Sequence, residues 1–470
     1  MAGVCFSGLN NKKMMHKYIV SISLMVFFAS CNKDETEMTW QKIEGEMAGG
    51  ATTVYIANSQ AFATPAPNLS AQNLKQHLAG DLAFEVSFVS NPSPKHGGLG
   101  PAFNNNSCVA CHPTDGRAAP PSNINDMSGL FLKISLPGQA ENGAPVPVPG
   151  FGTQLQHQSI YGFQKEASMQ VHYEDVPVIF DDGTKVMLKK PIYSISEPYT
   201  SMPENVLISP RIGMPVFGLG LLEAITEQDI LAKEDVDDAN NDGISGKANY
   251  VWDPVNEKTT LGRFGWKSGT PSVLVQSAGA YNEDIGITNP LRPIESTYGQ
   301  ANEDTTSNMI EIPMEDLESV TFYAHTLGVP AGRNFDKPDV IRGRELFEKI
   351  NCTACHTPSF TTGKLPGIPE VSNQKIYPYT DMLLHDMGEG LADNRVEFLA
   401  NGQEWKTRPL WGIGLTSVTS GHTTFLHDGR ARNLTEAILW HGGEAEESVN
   451  DFKKLTKEER ELLLQFLNAL

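Results

Sequence analysis

The chain has 470 residues and a formal net charge of −20, with 40% hydrophobic and 20% charged residues. Its mean hydropathy of −0.28 is ordinary for a water-soluble chain, and its length can bury the cores of two or three domains. So acidic a chain is poorly suited to binding nucleic acid or an anionic membrane surface, and we therefore predict no nucleic-acid partner.

The first 31 residues have the pattern of an export signal that ends in a lipidated cysteine. A lysine-containing stretch precedes a short apolar run, and two small residues stand directly before Cys31. The run is too short for a permanent bilayer span. We predict a lipoprotein signal peptide over 1–31, a polar tether over 32–50, and a cell-envelope protein on the periplasmic or outer-membrane surface side. The alternative is a simple signal peptide with a coincidental cysteine.

Downstream, sequence periodicity predicts several helices and one hairpin. Helical spacing of apolar residues predicts three amphipathic helices: 71–84, 314–327 and 457–470. Alternating residues predict two strands, 170–180 and 185–195, around a turn at Asp182. Thr226 has the position of an N-cap for a helix that begins near Glu227.

Two copies of the motif C-x-x-C-H carry the chemistry. They consist of Cys108, Cys111 and His112 in the first copy, and of Cys352, Cys355 and His356 in the second. This is the attachment signature of c-type haem, because cysteines three positions apart can reach one porphyrin edge while the histidine reaches the iron. The alternatives are a redox C-x-x-C or half of a zinc site, but no second cysteine pair has zinc spacing and no thioredoxin-like pattern surrounds either copy. We predict two covalently bound c-type haems whose proximal ligands are His112 and His356.

An acidic segment has the spacing of a calcium loop. Asp238, Asn240 and Asp242 offer oxygen ligands at alternate positions, and Gly243 can form the sharp turn. Position twelve is Asn249 where an EF-hand has glutamate, so the segment departs from that motif. Calcium is one hypothesis, and an Asx-rich surface turn is the other.

Short segments spread over nearly all of the chain after residue 50 resemble the di-haem oxidoreductase family, distant relatives of the bacterial di-haem cytochrome c peroxidases. These segments are 49–53, 98–103, 218–223, 238–243, 261–267, 385–388, 409–412 and 425–431. The resemblance implies a mainly α fold with two cytochrome c-like haem domains, 51–335 and 336–470. The N-terminal domain would be enlarged by an insertion that contains the β-hairpin, which makes the fold α+β overall.

The resemblance also implies roles for residues near the C-terminal haem. Counting from the relatives' His-Asp-Gly motif places His441 at the distal-ligand position, where the relatives usually have methionine. The alternative is an ordinary histidine at a helix C-terminus. His385 or Met387 is the fallback ligand, and both are expected around the haem edge together with His422 and His427.

For the N-terminal haem, no distal histidine is persuasive, because His157 and His172 are interpreted as surface or packing residues. This favours an open site, in which a polar side chain above the iron could move a proton between peroxide oxygens. Since related enzymes use glutamine and glutamate, the catalytic candidates are Gln154 and Glu223. Glu223 could equally be a helix-start carboxylate.

Together these features predict an exported, peroxidase-like di-haem c-type oxidoreductase that reduces a small oxidant, such as hydrogen peroxide, at the N-terminal haem. A cytochrome or another donor would supply electrons through the C-terminal haem. Trp411 and Trp440 are candidates for the path between the haems, or simply core residues. The competing functions are a non-catalytic di-haem electron-transfer cytochrome and a surface lipoprotein that handles iron or haem.

Overall fold

The computed structural model describes residues 43–121, 128–303 and 309–470. The predicted signal peptide, Cys31 and most of the predicted tether lie outside these ranges. Residues 42–470 form one compact unit. Within the described ranges, none of the helices combines the length and the apolar character needed to cross a membrane.

Short helices and short strands alternate along the chain. The helices are α1 (Ala71–Phe84), α2 (Cys108–Cys111), α3 (Leu219–Ala224), α4 (Glu227–Leu231), α5 (Val273–Ala280), α6 (Met314–Thr326), α7 (Pro338–Lys349), α8 (Thr416–Ser420), α9 (Leu434–Leu439), α10 (Glu446–Lys454) and α11 (Lys457–Ala469). The strands are β1 (Thr53–Val54), β2 (Ala102–Phe103), β3 (Leu130–Gln139), β4 (Pro145–Val146), β5 (Gln154–Leu155), β6 (Gln158–Ser159), β7 (Ser168–Ile179), β8 (Lys185–Ser196), β9 (Leu207–Ile212), β10 (Tyr250–Asp253), β11 (Lys258–Leu261), β12 (Val329–Pro330), β13 (Phe360–Thr361), β14 (Lys375–Ile376), β15 (Leu384–Asp386) and β16 (Glu404–Lys406). A π turn, Tyr281–Ile285, follows α5 directly.

The prediction of a mainly α fold is wrong. Of the described residues, 28% are helical and 20% are in strands, and the strands form many small sheets, so the fold is mixed α/β. Several strands have only two residues and pair with segments distant in sequence, as β2 does with β6 and β1 with β12. A two-residue strand has no alternation to read, and for this reason periodicity identified only the long hairpin.

The longer predicted elements are confirmed. The predicted helix 71–84 coincides with α1, which begins after Ser70, whose hydroxyl accepts from the amide of Asn73 at 3.1 Å. The other two amphipathic patterns correspond to α6 and α11. Thr226 is the N-cap of α4, and its hydroxyl oxygen accepts from the amide of Asp229 at 3.1 Å. In each case the signal lay in consecutive residues, so distant contacts were not needed to read it.

The predicted hairpin is confirmed as β7 and β8, whose register runs from Ser168 opposite Ser196 to Ile179 opposite Lys185. Its tip is held by the C-terminal helices. The guanidinium of Arg460 on α11 donates to Asp182 Oδ2 at 2.6 Å and lies 4.2 Å from the ring centre of Phe180. The hairpin therefore joins the predicted insertion to the predicted C-terminal domain.

Buried side chains form two hydrophobic clusters, and each draws on both predicted haem domains. One cluster contains Phe62 and Leu317 together with Trp411. The other contains Leu132 of β3 together with Phe347 and Trp405. The segments that follow the two C-x-x-C-H motifs are consequently packed into shared cores.

Candidate functional site

The N-terminal C-x-x-C-H motif forms a single helical turn. Both cysteines lie on α2, and the amide of His112 donates to the carbonyl of Cys108 at 2.9 Å. The imidazole Nδ1 of His112 lies 2.6 Å from the carbonyl oxygen of Met214, which can only accept, so Nδ1 carries the proton. Burial lowers the pKa of His112, which keeps the ring neutral. Its Nε2 lone pair is therefore available to a metal, with the second-nitrogen contact that metal-ligating histidines usually have.

The C-terminal motif repeats this arrangement on a different local structure. Cys352 begins a 3-10 turn, Cys352–Ala354, that follows α7 after Asn351, a residue with φ of 62°, and Cys355 is the C-cap of this turn. Nδ1 of His356 donates to the carbonyl oxygen of Tyr379 at 2.9 Å, and burial lowers the pKa of His356 to about 4. This histidine is also neutral and presents Nε2.

The cysteines do not have the properties of a redox dithiol. All four are unpaired, and burial raises the pKa of Cys108 and of Cys352 to about 12. Reactive dithiols depend on a lowered thiol pKa. In the described parts of the chain, no three His, Cys, Asp or Glu side chains are grouped to hold a metal ion, which disfavours a zinc site there.

The C-terminal motif opens into a cavity of about 260 Å³ that contains a second neutral imidazole. Cys352, Cys355 and His356 line this cavity together with His441, which follows α9. Nδ1 of His441 donates to the carbonyl oxygen of Ala437 at 2.7 Å, so its Nε2 is also available. Burial lowers the pKa of His441 as well. The cavity is therefore lined by two neutral imidazoles, each with its Nε2 free of a hydrogen-bond donor role.

His385 cannot serve as the fallback ligand. Its Nδ1 lies 2.7 Å from a carboxylate oxygen of Glu444, and its Nε2 lies 2.7 Å from one of Asp381. Although burial opposes the charge, these hydrogen bonds hold the pKa of His385 well above its usual value. An imidazolium has no free lone pair, so His385 is a buried cation beside Cys355. Met387 lines the cavity.

The two remaining predicted histidines of this domain occupy defined positions. His427 lines the cavity and stacks on Trp405, with ring centres 4.0 Å apart. His422 lies at the junction between the two motifs, where its Nε2 donates to the carbonyl of Arg117 at 2.9 Å. His422 is not among the residues that line the cavity. The role of both histidines around a cofactor stays a prediction.

Beside the N-terminal motif lies a buried polar cluster, which includes the predicted Gln154. The register of β5 with β3 places Gln154 in this cluster. Its amide Nε2 donates to Asn104 Oδ1 at 2.6 Å and to Asp284 Oδ1 at 2.7 Å. Burial is the largest cause that raises the pKa of the Cys111 thiol, and the Asp284 carboxylate is the second. The cluster therefore adjoins the motif. Asp284 belongs to the π turn, a distortion that is frequent at functional sites.

Sequence reasoning missed two members of this cluster, Gln156 and Glu166. Glu166 is 0% exposed, and its Oε2 accepts from the amide of Gln156 at 2.7 Å. Burial raises the pKa of Glu166 to about 8, so the carboxyl is protonated at neutral pH. Nearby Glu283 is ionised, because Lys133 and Arg292 lower its pKa although burial opposes this. Carboxyls with opposite shifts in one cluster are typical of acid–base sites.

Several buried polar atoms of the cluster have no hydrogen-bond partner. They are Gln154 Oε1, Gln156 Oε1, His157 Nε2 and Glu166 Oε1. Buried polar atoms are nearly always paired, so a group of unpaired ones indicates space for a polar ligand or water. The only sequence signal for Gln156 was its place two residues after Gln154, and Glu166 had none.

Glu223 lies elsewhere. Its Oε2 accepts from the amide of Val273, the first residue of α5, at 2.7 Å and contacts His325 Nε2 at 3.1 Å. This matches the alternative interpretation of a helix-start carboxylate. No hydrogen bond between described residues connects it to Gln154.

The segment 238–243 has the contacts of an Asx turn. Asp238 Oδ1 accepts from the amides of Asp242 at 3.0 Å and of Gly243 at 3.2 Å. Asn240 Oδ1 accepts from the same Asp242 amide at 2.8 Å. The oxygens that would bind calcium are thus used by the backbone, and the calcium hypothesis has no support among the described residues.

The residues of both motifs fit haem. Each C-x-x-C-H motif is half-buried, with a neutral histidine whose Nδ1 is fixed by a carbonyl, and the cavity of one motif contains a second such histidine. This donor set fits iron porphyrin and defines a redox protein with two haem sites. The chain belongs to the family described as "Di-haem oxidoreductase, putative peroxidase", whose sequence model matches residues 42–470. Comparison with curated proteins and with solved structures found no match.

Proposed function

We propose that the protein is an exported c-type di-haem peroxidase. Cys108 and Cys111 would bond covalently to one porphyrin, and Cys352 and Cys355 to the other. The observation that carries the proposal is the difference between the two sites. The C-terminal cavity offers a second imidazole to its iron, whereas the N-terminal motif adjoins protonated Glu166 and a group of unpaired polar atoms.

At the C-terminal site, His356 and His441 would both ligate the iron through Nε2. An iron with two imidazole ligands is six-coordinate, and it passes electrons without binding a substrate. Imidazole in place of the relatives' methionine would also lower the reduction potential. We assign this site to electron entry, from a cytochrome or another donor that is attracted to the acidic chain.

At the N-terminal site, the haem would supply the iron that takes up peroxide and the electrons that reduce it. This chain's residues would hold and move the protons. Glu166 is protonated at neutral pH and can give its proton to the departing peroxide oxygen. The amides of Gln154 and Gln156 are buried beside it and can orient the peroxide. The overall reaction is one hydrogen peroxide plus two electrons and two protons to two waters.

The location of the protein is part of the same proposal. Attachment of haem to C-x-x-C-H motifs, the apolar leader and Cys31 support an exported lipoprotein that is held to a cell-envelope membrane by its lipid alone. Residues 43–121, 128–303 and 309–470 would then lie outside the membrane as a soluble unit.

One observation favours the alternative of a non-catalytic electron-transfer cytochrome. His157 is buried, its Nδ1 accepts from Asn104 Nδ2 at 2.8 Å, and its Nε2 is unpaired. Burial lowers its pKa to about 4, so the ring is neutral, and because Nδ1 accepts, the proton is on Nε2. In the other tautomer, with the contact to Asn104 broken, Nε2 could ligate the N-terminal iron. Both irons would then be blocked.

The decisive experiment is the resting EPR spectrum of the full chain, made in a host with cytochrome maturation. We expect an intact mass increased by two haems, one low-spin signal and one high-spin signal. Two low-spin signals, one of which becomes high-spin in H157A, would establish the electron-transfer cytochrome. A mass without haem would refute covalent attachment.

A further inference from the structure

The C-terminal cavity is lined by three cations that have no carboxylate partner. They are Arg117, Lys406 and Arg408. Arg117 is 7% exposed and Lys406 is 2% exposed. None of the three forms an ion pair with any carboxylate in the ranges that the structure describes, and Arg117 Nε is buried without a partner. A buried cation without an anion is strongly unfavourable, because its lost hydration is not compensated by an ion pair.

These cations are close enough to repel one another. The guanidinium groups of Arg117 and Arg408 lie 5.5 and 5.4 Å from the ring centre of Trp266. Burial and then the charge of Arg408 lower the pKa of Arg117 to about 9, and the same two causes hold the pKa of Lys406 well below its usual value. The nearest compensating charge for Arg117 is Asp428, which is itself bonded to Arg430 at 2.9 Å. The group therefore has the electrostatics of an anion receptor.

Arg117 also connects the two motifs. Its backbone lies five positions after His112, yet its side chain lines the cavity of the C-terminal motif. The segment is held in place by two contacts from the C-terminal half. The amide of Arg117 donates to Ser420 Oγ at 3.0 Å, and its carbonyl accepts from His422 Nε2 at 2.9 Å.

We propose that Arg117, Lys406 and Arg408 bind the carboxylate groups of the tetrapyrrole at the C-terminal motif. Because Arg117 belongs to the loop that follows the N-terminal motif, it would thereby link the two haem sites. This inference rests on the proposed function, since it takes haem as the ligand. Carboxylates bound by guanidinium groups in a dry cavity gain charge-assisted hydrogen bonds. The positive charge that remains favours the reduced state of the iron, which carries one charge fewer.

The test compares reduction midpoints and haem content in the full-length holoprotein. The variants are R117Q, R408Q and R117K, and R342Q is the control with the same charge change on the exposed surface of α7, where Arg342 pairs with Glu345. We expect R117Q and R408Q to shift the midpoint of the low-spin haem downward, or to lose the haem from Cys352 and Cys355 selectively. R117K should retain most of the wild-type midpoint, because it keeps the charge.

The link between the sites has its own readout. R117Q should also alter the EPR signal of the N-terminal haem, whereas R408Q should leave that signal unchanged. Both haems present, with midpoints equal to those of R342Q, would overturn the inference. If R117Q does not accumulate, the reduction midpoints and haem content of R408Q are compared with those of R342Q instead, and equal values would again overturn the inference. Wild-type protein without haem would instead refute the proposed function, before any variant is compared.

Discussion

The imidazole of His427 and the indole of Trp405 are stacked, with ring centres 4.0 Å apart and planes 10° from parallel. Two buried cations also contact the indole: Lys267 Nζ lies 4.6 Å from the ring centre and the Arg211 guanidinium 5.3 Å. A cation over an indole face stabilises the neutral ring, so it makes removal of an electron harder. Trp405 is therefore electrostatically unsuited to carry an electron hole.

Trp411 is the better candidate for an electron path. It also lines the cavity, and it packs against Phe217 with ring centres 6.4 Å apart, but no cation lies over its ring among the described residues. The Arg430 guanidinium lies 4.9 Å from the ring centre of Trp440, so Trp440 is as unsuited to carry an electron hole as Trp405. We expect W411F to slow electron transfer between the haems in stopped-flow reduction more than W405F does. Equal rates in the two variants would contradict this assignment.

The ligand role of His441 is tested by its removal. His441→Ala should convert the low-spin C-terminal haem to high spin, because one of the two strong-field imidazoles is lost. His441→Met should keep the low-spin state and raise the midpoint, since thioether favours ferrous iron. His172→Ala is the control, because His172 lies exposed on β7. An optical and EPR spectrum of H441A that equals the control would remove His441 from the ligand set.

Glu166 is expected to control peroxide turnover. Glu166→Gln should lower kcat by about 10²- to 10⁴-fold, the usual contribution of a positioned acid or base. With a pKa of about 8, the wild-type carboxyl gives its proton below that pH and loses it above, so activity should fall as pH rises through about 8. That alkaline fall should be absent in E166Q. The exposed Glu174→Gln on β7 is the matched control, and equal kcat values in both variants would exclude Glu166.

The contact between the hairpin tip and α11 should contribute to stability. Arg460 is buried, donates to the carbonyl of Leu455 at 2.6 Å, and pairs with the partly exposed Asp182. Arg460→Ala removes these bonds and the packing on Phe180, and we expect a loss of about 1–3 kcal/mol in the free energy of unfolding. Urea denaturation measures it. Lys454→Ala, which breaks an exposed pair with Asp451, should leave the free energy of unfolding nearly unchanged. A loss in R460A no larger than in K454A would show that the tip is not anchored.

Much of the site could be predicted because its signals are local. The two C-x-x-C-H motifs, the helices α1 and α11 and the turn at Asp182 each lie within a few consecutive residues. His441 was proposed through the family resemblance, by counting from the relatives' His-Asp-Gly motif, and it lines the same cavity as His356. The error in fold class has the opposite origin, since two-residue strands such as β5 exist only through pairing with distant segments.

The buried polar cluster was the part that local patterns could not supply. Gln156 directly follows β5, which pairs with β3, and its side chain donates to the carbonyl of Glu283 in the π turn, 127 residues away. Glu166 joins the cluster through the amide of Gln156. Glu223 had the residue type expected of a catalytic acid, yet tertiary contacts engage it at the start of α5.

By itself, the sequence determined the two C-x-x-C-H motifs and predicted two haems with His112 and His356 beside them, because the motif needs only the geometry of one helical turn. Tertiary structure alone decided which carboxyl is protonated, which histidine is a cation and which tryptophans lie beside cations. Those properties depend on burial and on charges contributed by distant segments, and no short stretch of residues encodes them.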